Sequence, residues 1–217
     1  MPEITSVEPQ KQSASRRTKR FNIFLDGEFA FGADEDLVVN RRLVIGKIID
    51  QDELNKILFE AEVGKLMEKM YRLWNIRQRS EREVRNYFRI KGKEEISQLV
   101  IDALVEALKK KGMVNDLEFA KVWTEARRKS KQKGIRAIKA ELFQKGIDKE
   151  IIEEVVRLQV TGFSEEELAK QALEKKMKFW KNLPTLGFRK KAFEFLMRKG
   201  FEYEVVRDAI EKIMKKE

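Results

Sequence analysis

The side chains with the most capacity for chemistry in this 217-residue chain are cationic. Arg77, Arg79, Arg82, Arg85 and Arg89 form one group, and the spacing of the last three puts their guanidiniums on one face of a helix. Arg127, Arg128, Lys129, Lys131, Lys133 and Arg136 form a second, six positive charges in ten residues with no acid among them. Guanidinium favours planar, bidentate partners such as phosphate and carboxylate. Both groups therefore read as a candidate binding surface for a partner protein or DNA, or alternatively as solvated charged faces. Catalysis has little to draw on. The chain has no histidine and no cysteine, which removes the commonest general base, the commonest metal ligand and any thiolate nucleophile or disulfide. The acidic runs Glu94-Glu95, Glu153-Glu154 and Glu165-Glu166-Glu167 fall at expected helix starts or polar faces, where they suit the helix dipole or water better than acid–base work. Phosphate loop, dinucleotide fingerprint, nucleophile elbow and metal-ligand spacing are all missing from the sequence. The expectation is a non-enzyme with no catalytic residue, no metal and no cofactor.

The elements that hold these residues follow from an internal repeat. Lys91-Gly92, Lys145-Gly146 and Lys199-Gly200 recur at a spacing of 54 residues. Four residues before each glycine stands Phe88, Leu142 or Leu196, and four earlier Val84, Ile138 or Ala192. That i, i+4, i+8 pattern predicts a helix with one buried stripe and a left-handed glycine cap. Each copy is expected to be the middle helix of a three-helix unit, because three copies at one period mark a repeat architecture. The predicted fold is mainly α: three tandem three-helix repeats in an elongated array, preceded by a small N-terminal β-hairpin region. The expected divisions are residues 1–50 for the β extension, 51–115, 116–161 and 162–217 for the repeats.

Within that frame, Asp26-Gly27 between FNIFL and EFAFG predicts a two-residue type I′ hairpin. Phe21, Ile23 and Leu25 are expected on one face of its first strand, and Phe29 and Phe31 together on one face of its second. ITSVEPQ reads as a possible strand, residues 37–49 as short strands or a turn of helix, and KQSASRRTKR as a mobile basic loop or a phosphate-touching arm. A helix starting at Asp50 is expected to reach Trp74, with Val63-Gly64 as a possible joint. Ser80 with Glu83, and Ser164 with Glu167, read as capping boxes, and Asp116 as another helix cap. A helix is expected from about Glu94 to Lys111 with Leu99 inward, and the third middle helix from about Phe188 after a turn at Pro184 and Gly187. Val122 and Ala126 are assigned inward, and Leu58 and Leu158 belong to the apolar helical spacing of their segments. Trp74, Trp123 and Trp180, one per first helix, read as packing residues or as stacking platforms for bases.

Net charge is +10, and it lies on the repeats. Residues 1–60 carry 9 cations against 11 acids, residues 61–115 carry 13 against 8, residues 116–160 carry 11 against 8, and residues 161–217 carry 14 against 10. Such a surface favours an anionic partner, although a Lys/Glu-rich surface of a heat-stable protein has the same composition. No apolar run approaches the length of a membrane span, so a soluble, cytoplasmic protein is expected.

RQRSEREVRNYFRIKG at 77–92, NDLEFAKVWTEARRKSKQKGIRAIKAELFQKGI at 115–147 and RKKAFEFLMRKGFEYEVVRDAI at 189–210 resemble the RecX family, the regulators of the RecA recombinase. NIFLDGEFAFG resembles the β extension of some members. The resemblance implies three tandem three-helix repeats, no catalytic residues and no cofactor, and a partner in the RecA filament; the chain itself is expected to be a monomer. There, the family lies along the helical groove and suppresses ATP hydrolysis and strand exchange. It also implies helix-start and packing roles for Asp116, Phe119 and Ala120, and a helix ending at Leu142, Lys145, Gly146 and Ile147. The basic residues as binding residues come from charge alone. The alternative function is a stand-alone DNA-binding protein that uses its basic helical surface.

Overall fold

The computed structural model describes residues 1–11, 19–91, 96–159, 164–180 and 183–215. Among them are three strands, β1 (Ile4–Pro9), β2 (Arg20–Leu25) and β3 (Glu28–Asp34), and ten helices. The helices are α1 (Glu35–Asn40), α2 (Gln51–Trp74), α3 (Glu81–Lys91), α4 (Gln98–Lys110), α5 (Asp116–Lys131), α6 (Ile135–Gln144), α7 (Lys149–Gln159), α8 (Glu165–Met177), α9 (Thr185–Lys199) and α10 (Tyr203–Met214). The chain divides into two compact units. One holds Met1–Arg79 and Val84–Val114, the other Ser80–Glu83 and Asn115–Glu217.

In the first unit the strands form an antiparallel sheet in the order β1-β2-β3. Asp26 and Gly27 both have positive φ, 50° and 87°, as the two-residue turn requires. The register breaks between Ile23 and Phe24, where Ile23 faces Phe31 but Phe24 faces Phe29. That extra residue in β3 is a bulge, and it corrects the expected face of Phe29. Phe31 is buried, whereas Phe29 is 59% exposed with its ring edge-on to Phe24. The basic loop read from KQSASRRTKR falls largely outside the described residues. One end of the sheet continues into α1, capped by Asp34, whose carboxylate accepts from the Leu37 amide at 2.8 Å.

Helix α2 runs unbroken through Val63-Gly64, where a joint was expected. Gly64 instead marks a close approach, since a Cβ there would lie 2.7 Å from an Asp34 carboxylate oxygen. The first part of α2 gives Ile57 and Ala61 to the core under the sheet, and its later turns give Leu66, Met67 and Met70 to a second core with α3 and α4. Helix α4 starts at Gln98, not Glu94, because the Ser97 hydroxyl accepts from the Val100 amide; residues 92–95, including Glu94-Glu95 and Gly92, lie outside the described residues. Leu99, expected inward, is 73% exposed. Leu58, Val122, Ala126 and Leu158 also face out, because the buried stripe on each helix is narrower than the apolar pattern.

The second unit has two cores, one from α5–α7 and one from α8–α10. The periodic stripe is where the sequence put it: Val84, Phe88, Ile138, Leu142, Ala192 and Leu196 are all at most 1% exposed. Gly146 and Gly200 have φ of 80° and 86°, the left-handed cap that a Cβ disfavours. Ser164 and Glu167 form the capping box at α8. Pro184 is the N-cap of α9, so Gly187 lies within the first helical turn and the helix begins ahead of Phe188.

The 54-residue period also sets a contact. At the start of α3 the Ser80 hydroxyl donates to the Lys145 carbonyl at 2.7 Å, Lys145 pairs with Glu83, and the Arg82 side chain lies over Gly146. One period on, the Gly134 amide donates to the Lys199 carbonyl at 2.9 Å and the Arg136 amide to the Gly200 carbonyl at 3.1 Å. Thus Ser80 and Gly134, 54 residues apart, reach equivalent carbonyls at the C-terminal ends of α6 and α9. Asp116 belongs to the first of these contacts. Asn115, not Asp116, caps α5, and the Asp116 carboxylate accepts from the Glu81 amide at 2.9 Å.

Candidate basic binding surface

The two basic groups are divided between surface and interior. Arg77, Arg82 and Arg89 are exposed, and Arg79 is half-buried. Arg85 pairs with Asp102, which breaks the three-guanidinium face expected on α3. The hydrogen bonds from Arg85 and Gln98, with the charges of Arg85 and Arg89, hold the Asp102 carboxyl below its usual range against the opposing effect of burial. The Arg82 side chain covers Gly146.

In the second group, Arg127 and Arg128 turn inward at the end of α5. Arg128 is only 5% exposed and donates to Glu165 at 2.6 Å. Arg127 lies over the Trp123 ring, 4.0 Å from its centroid, and donates to Glu141 at 2.7 Å. Glu141 also accepts from the Trp123 indole at 2.8 Å and pairs with Lys133. Burial alone would raise the Glu141 carboxyl, but the bonds from Lys133, Arg127 and Trp123 outweigh it and hold the group below its usual range. Glu165 goes the other way: burial raises it despite the Ile135 amide and Arg128. Lys129 pairs with Glu125 one turn away, Lys131 is exposed, and Arg136 lies 3.8 Å from Glu202.

Among the described residues, three members of the acidic runs serve as partners for cations. Glu165 holds Arg128, Glu166 holds Lys212, and Glu153 holds Lys139. Trp74, Trp123 and Trp180 are half-buried and pack against cores or other rings. No group of three or more potential metal-ligating side chains occurs among the described residues. No helix among them is long and apolar enough to cross a membrane.

The structure also gathers lysines that the charge pattern did not single out. Lys199 donates to the Lys131 carbonyl, and Lys175 donates to the Gln132 side-chain carbonyl at 2.9 Å. Lys199 and Lys176 lie 5.3 and 5.9 Å from the centroid of the Phe195 ring. Burial, and then the charges of Lys175, Lys133, Lys176 and Lys131, hold the Lys199 ammonium below the usual lysine range. The repeat itself carries the signal for this cluster. Lys145 has Glu83 as its partner, and the position one period after Glu83 is Ala137. Lys199 therefore has no equivalent carboxylate.

Comparison with known proteins is consistent along the chain. Sequence families described as Regulatory protein RecX N-terminal domain, RecX second three-helix domain and RecX third three-helix domain match residues 2–50, 115–156 and 164–210. Regulatory protein RecX of Bacillus velezensis is 34% identical over 214 residues, covering 97% of this chain and 77% of the relative. That of Bacillus subtilis is 34% identical over 216 residues, covering 98% and 78%. A crystal structure of regulatory protein RecX shares the fold, with a TM-score of 0.73 at 24% identity over 96% of this chain and 100% of the other. The RecX structure from Lactobacillus salivarius has a TM-score of 0.59 at 22% identity, covering 70% and 96%. With its N-terminal sheet, its three-helix repeats and these relatives, the chain belongs to the RecX family of regulatory proteins.

Proposed function

We propose that this chain regulates homologous recombination and DNA repair by binding RecA–DNA filaments and inhibiting ATP hydrolysis and strand exchange. Membership in a family of regulatory proteins is the observation that carries the reading. The exposed cations support it. Arg77, Arg82, Arg89, Lys129, Lys131 and Arg136 are exposed and offer positive charge to an acidic protein groove or to phosphates, Lys129 and Arg136 from exposed pairs with Glu125 and Glu202, while the more buried Arg85, Arg127, Arg128 and Lys133 are held by the protein's own carboxylates. A ligand that contacts successive protomers stabilises one filament conformation and slows the transitions that hydrolysis and exchange require. In this reading the protein is a cytoplasmic, non-enzymatic monomer. Its working parts are the extension 1–50 and the repeats 51–115, 116–161 and 162–217.

The test is RecA ATP hydrolysis on single-stranded DNA, titrated with this protein beside a titration of bare DNA. Inhibition well below the concentration that coats bare DNA is expected. Inhibition that appears only as the DNA saturates would replace a filament regulator with a stand-alone DNA-binding protein.

A further inference from the structure

We infer that Lys131, Lys175, Lys176 and Lys199, together with the ring of Phe179, form a binding site for a segment of single-stranded nucleic acid. Three observations carry this assignment. First, none of these four lysines has a carboxylate partner among the described residues, in a unit where carboxylates elsewhere engage Lys133, Lys139, Lys145 and Lys212. The repeat shows that the exception is built in, since Ala137 stands where Glu83 serves the equivalent lysine. Like charges brought together without a counter-ion are unfavourable on their own and become favourable around an anion.

Second, the cluster is held in place. Gln132 ends α5 with φ of 43°, is only 6% exposed, donates to the Lys129 carbonyl at 2.7 Å and accepts from Lys175. A non-glycine residue in the left-handed region is unfavourable and persists where its surroundings fix it. Here those surroundings aim the Gln132 amide oxygen at a lysine. Lys199, fixed to the Lys131 carbonyl, ties the same corner to α9.

Third, an aromatic face stands beside the charges. Phe179 is 78% exposed, and the Lys176 ammonium lies 5.5 Å from its centroid. Phosphates spaced along a strand satisfy the lysines, and an unpaired base stacks on the open ring; this is the combination by which single strands are held without sequence preference. An acidic protein surface would satisfy the lysines but give no role to the ring. Beside these lysines Phe179 is open to a base, while the tryptophans are half-buried. The site is independent of the regulatory reading, because bare oligonucleotide tests it in the absence of recombinase.

The experiment is fluorescence anisotropy of a labelled oligothymidylate over a salt series, using the full chain. Removing two phosphate contacts with Lys175→Gln/Lys176→Gln is expected to reduce the magnitude of the slope of log K against log salt by about 1.4, at about 0.7 per contact on single strands. Phe179→Ala is expected to weaken binding about 5- to 100-fold with the slope unchanged. Lys110→Gln/Lys111→Gln, away from the cluster in sequence and in the other unit, has the same charge change and serves as the control; circular dichroism and urea melts confirm each fold. The assignment is overturned if the parent does not bind the oligonucleotide at low salt, or if the cluster variants bind like the parent. A control variant that loses as much slope as the cluster variant also overturns it. Competition by polyglutamate that is lost with the lysines, while oligonucleotide binding is kept, would transfer the site to an acidic protein.

Discussion

Replacing Gly134 with alanine tests the contact that the repeat places between α6 and α9. Gly134 has φ of −74° and ψ of 161°, which alanine adopts without backbone strain. The penalty is therefore steric. The new Cβ would stand 2.3 Å from the Gly200 carbonyl oxygen and 2.5 Å from both the Gly200 carbonyl carbon and the Phe201 nitrogen, all backbone atoms. Relief requires the two helix ends to part, which stretches the Gly134–Lys199 and Arg136–Gly200 hydrogen bonds. Two such bonds contribute about 1 kcal/mol each, and overpacking costs about 1–3 kcal/mol. Alanine returns about 0.4–1 kcal/mol by restricting the unfolded chain. The net expectation is a loss of about 2–4 kcal/mol, or about 10–25 °C in the melting of a unit of roughly this size. Urea and thermal melts followed by circular dichroism and tryptophan fluorescence measure it. Gly187→Ala is the paired control, since its Cβ meets the Pro184 ring at 3.6 Å, an ordinary contact; it is expected to be neutral or to stabilise by up to about 1 kcal/mol. Equal melting of the two variants would refute the argument that backbone proximity dictates the glycine at 134.

Arg128→Ala leaves Glu165 without its guanidinium and is expected to destabilise the second unit by about 3–5 kcal/mol, read as a shifted urea midpoint; a shift under about 0.5 kcal/mol would show that the pair is dispensable. It follows that the combined reversal of Arg127, Arg128, Lys129 and Lys131 to Glu, which charge alone suggests as a surface variant, does not spare the helical fold, because it sets acids against Glu141 and Glu165. Glu141 is depressed in the folded protein, so its contribution to stability is present above the ordinary glutamate pKa and is lost as pH falls through the depressed value; Glu165, raised, contributes with the opposite sign as pH rises through its folded value. Glu141→Gln is expected to flatten the acid limb of stability against pH, and an unchanged limb would remove Glu141 from the account.

The repeat was legible because burial at Val84, Phe88, Ile138, Leu142, Ala192 and Leu196 repeats with the helical period, and because glycine at 146 and 200 answers a local backbone demand. What was local could be read: the Asp26-Gly27 turn and the Ser164–Glu167 box needed only neighbours. What depended on distant partners could not. Arg128 and Lys131 look alike in a basic run, yet Glu165, 37 positions from Arg128, draws only one of them inward. The Phe29 reversal arises from one extra residue in β3, which alternation does not reveal. Asp116 has the composition of a cap for its own helix and serves the Glu81 amide of another. The lysine cluster had a signal, the change from Glu83 to Ala137 across one period, which emerges only when the repeats are compared by partner as well as by stripe.

The way α6 begins has a kinetic consequence. The leading amides of a helix have no carbonyl behind them and ordinarily exchange with solvent as freely as a loop. Gly134 and Arg136 borrow theirs from Lys199 and Gly200, whereas the Ile138 amide bonds to Gly134 within its own helix. Deuterium uptake at the first two positions is thereby gated by separation of α6 from α9, and uptake at the third by fraying of α6 itself. Two rates within a single helical turn distinguish an opening between repeats from an opening within one, and binding of a partner that clamps the repeats together would slow the first while leaving the second unchanged.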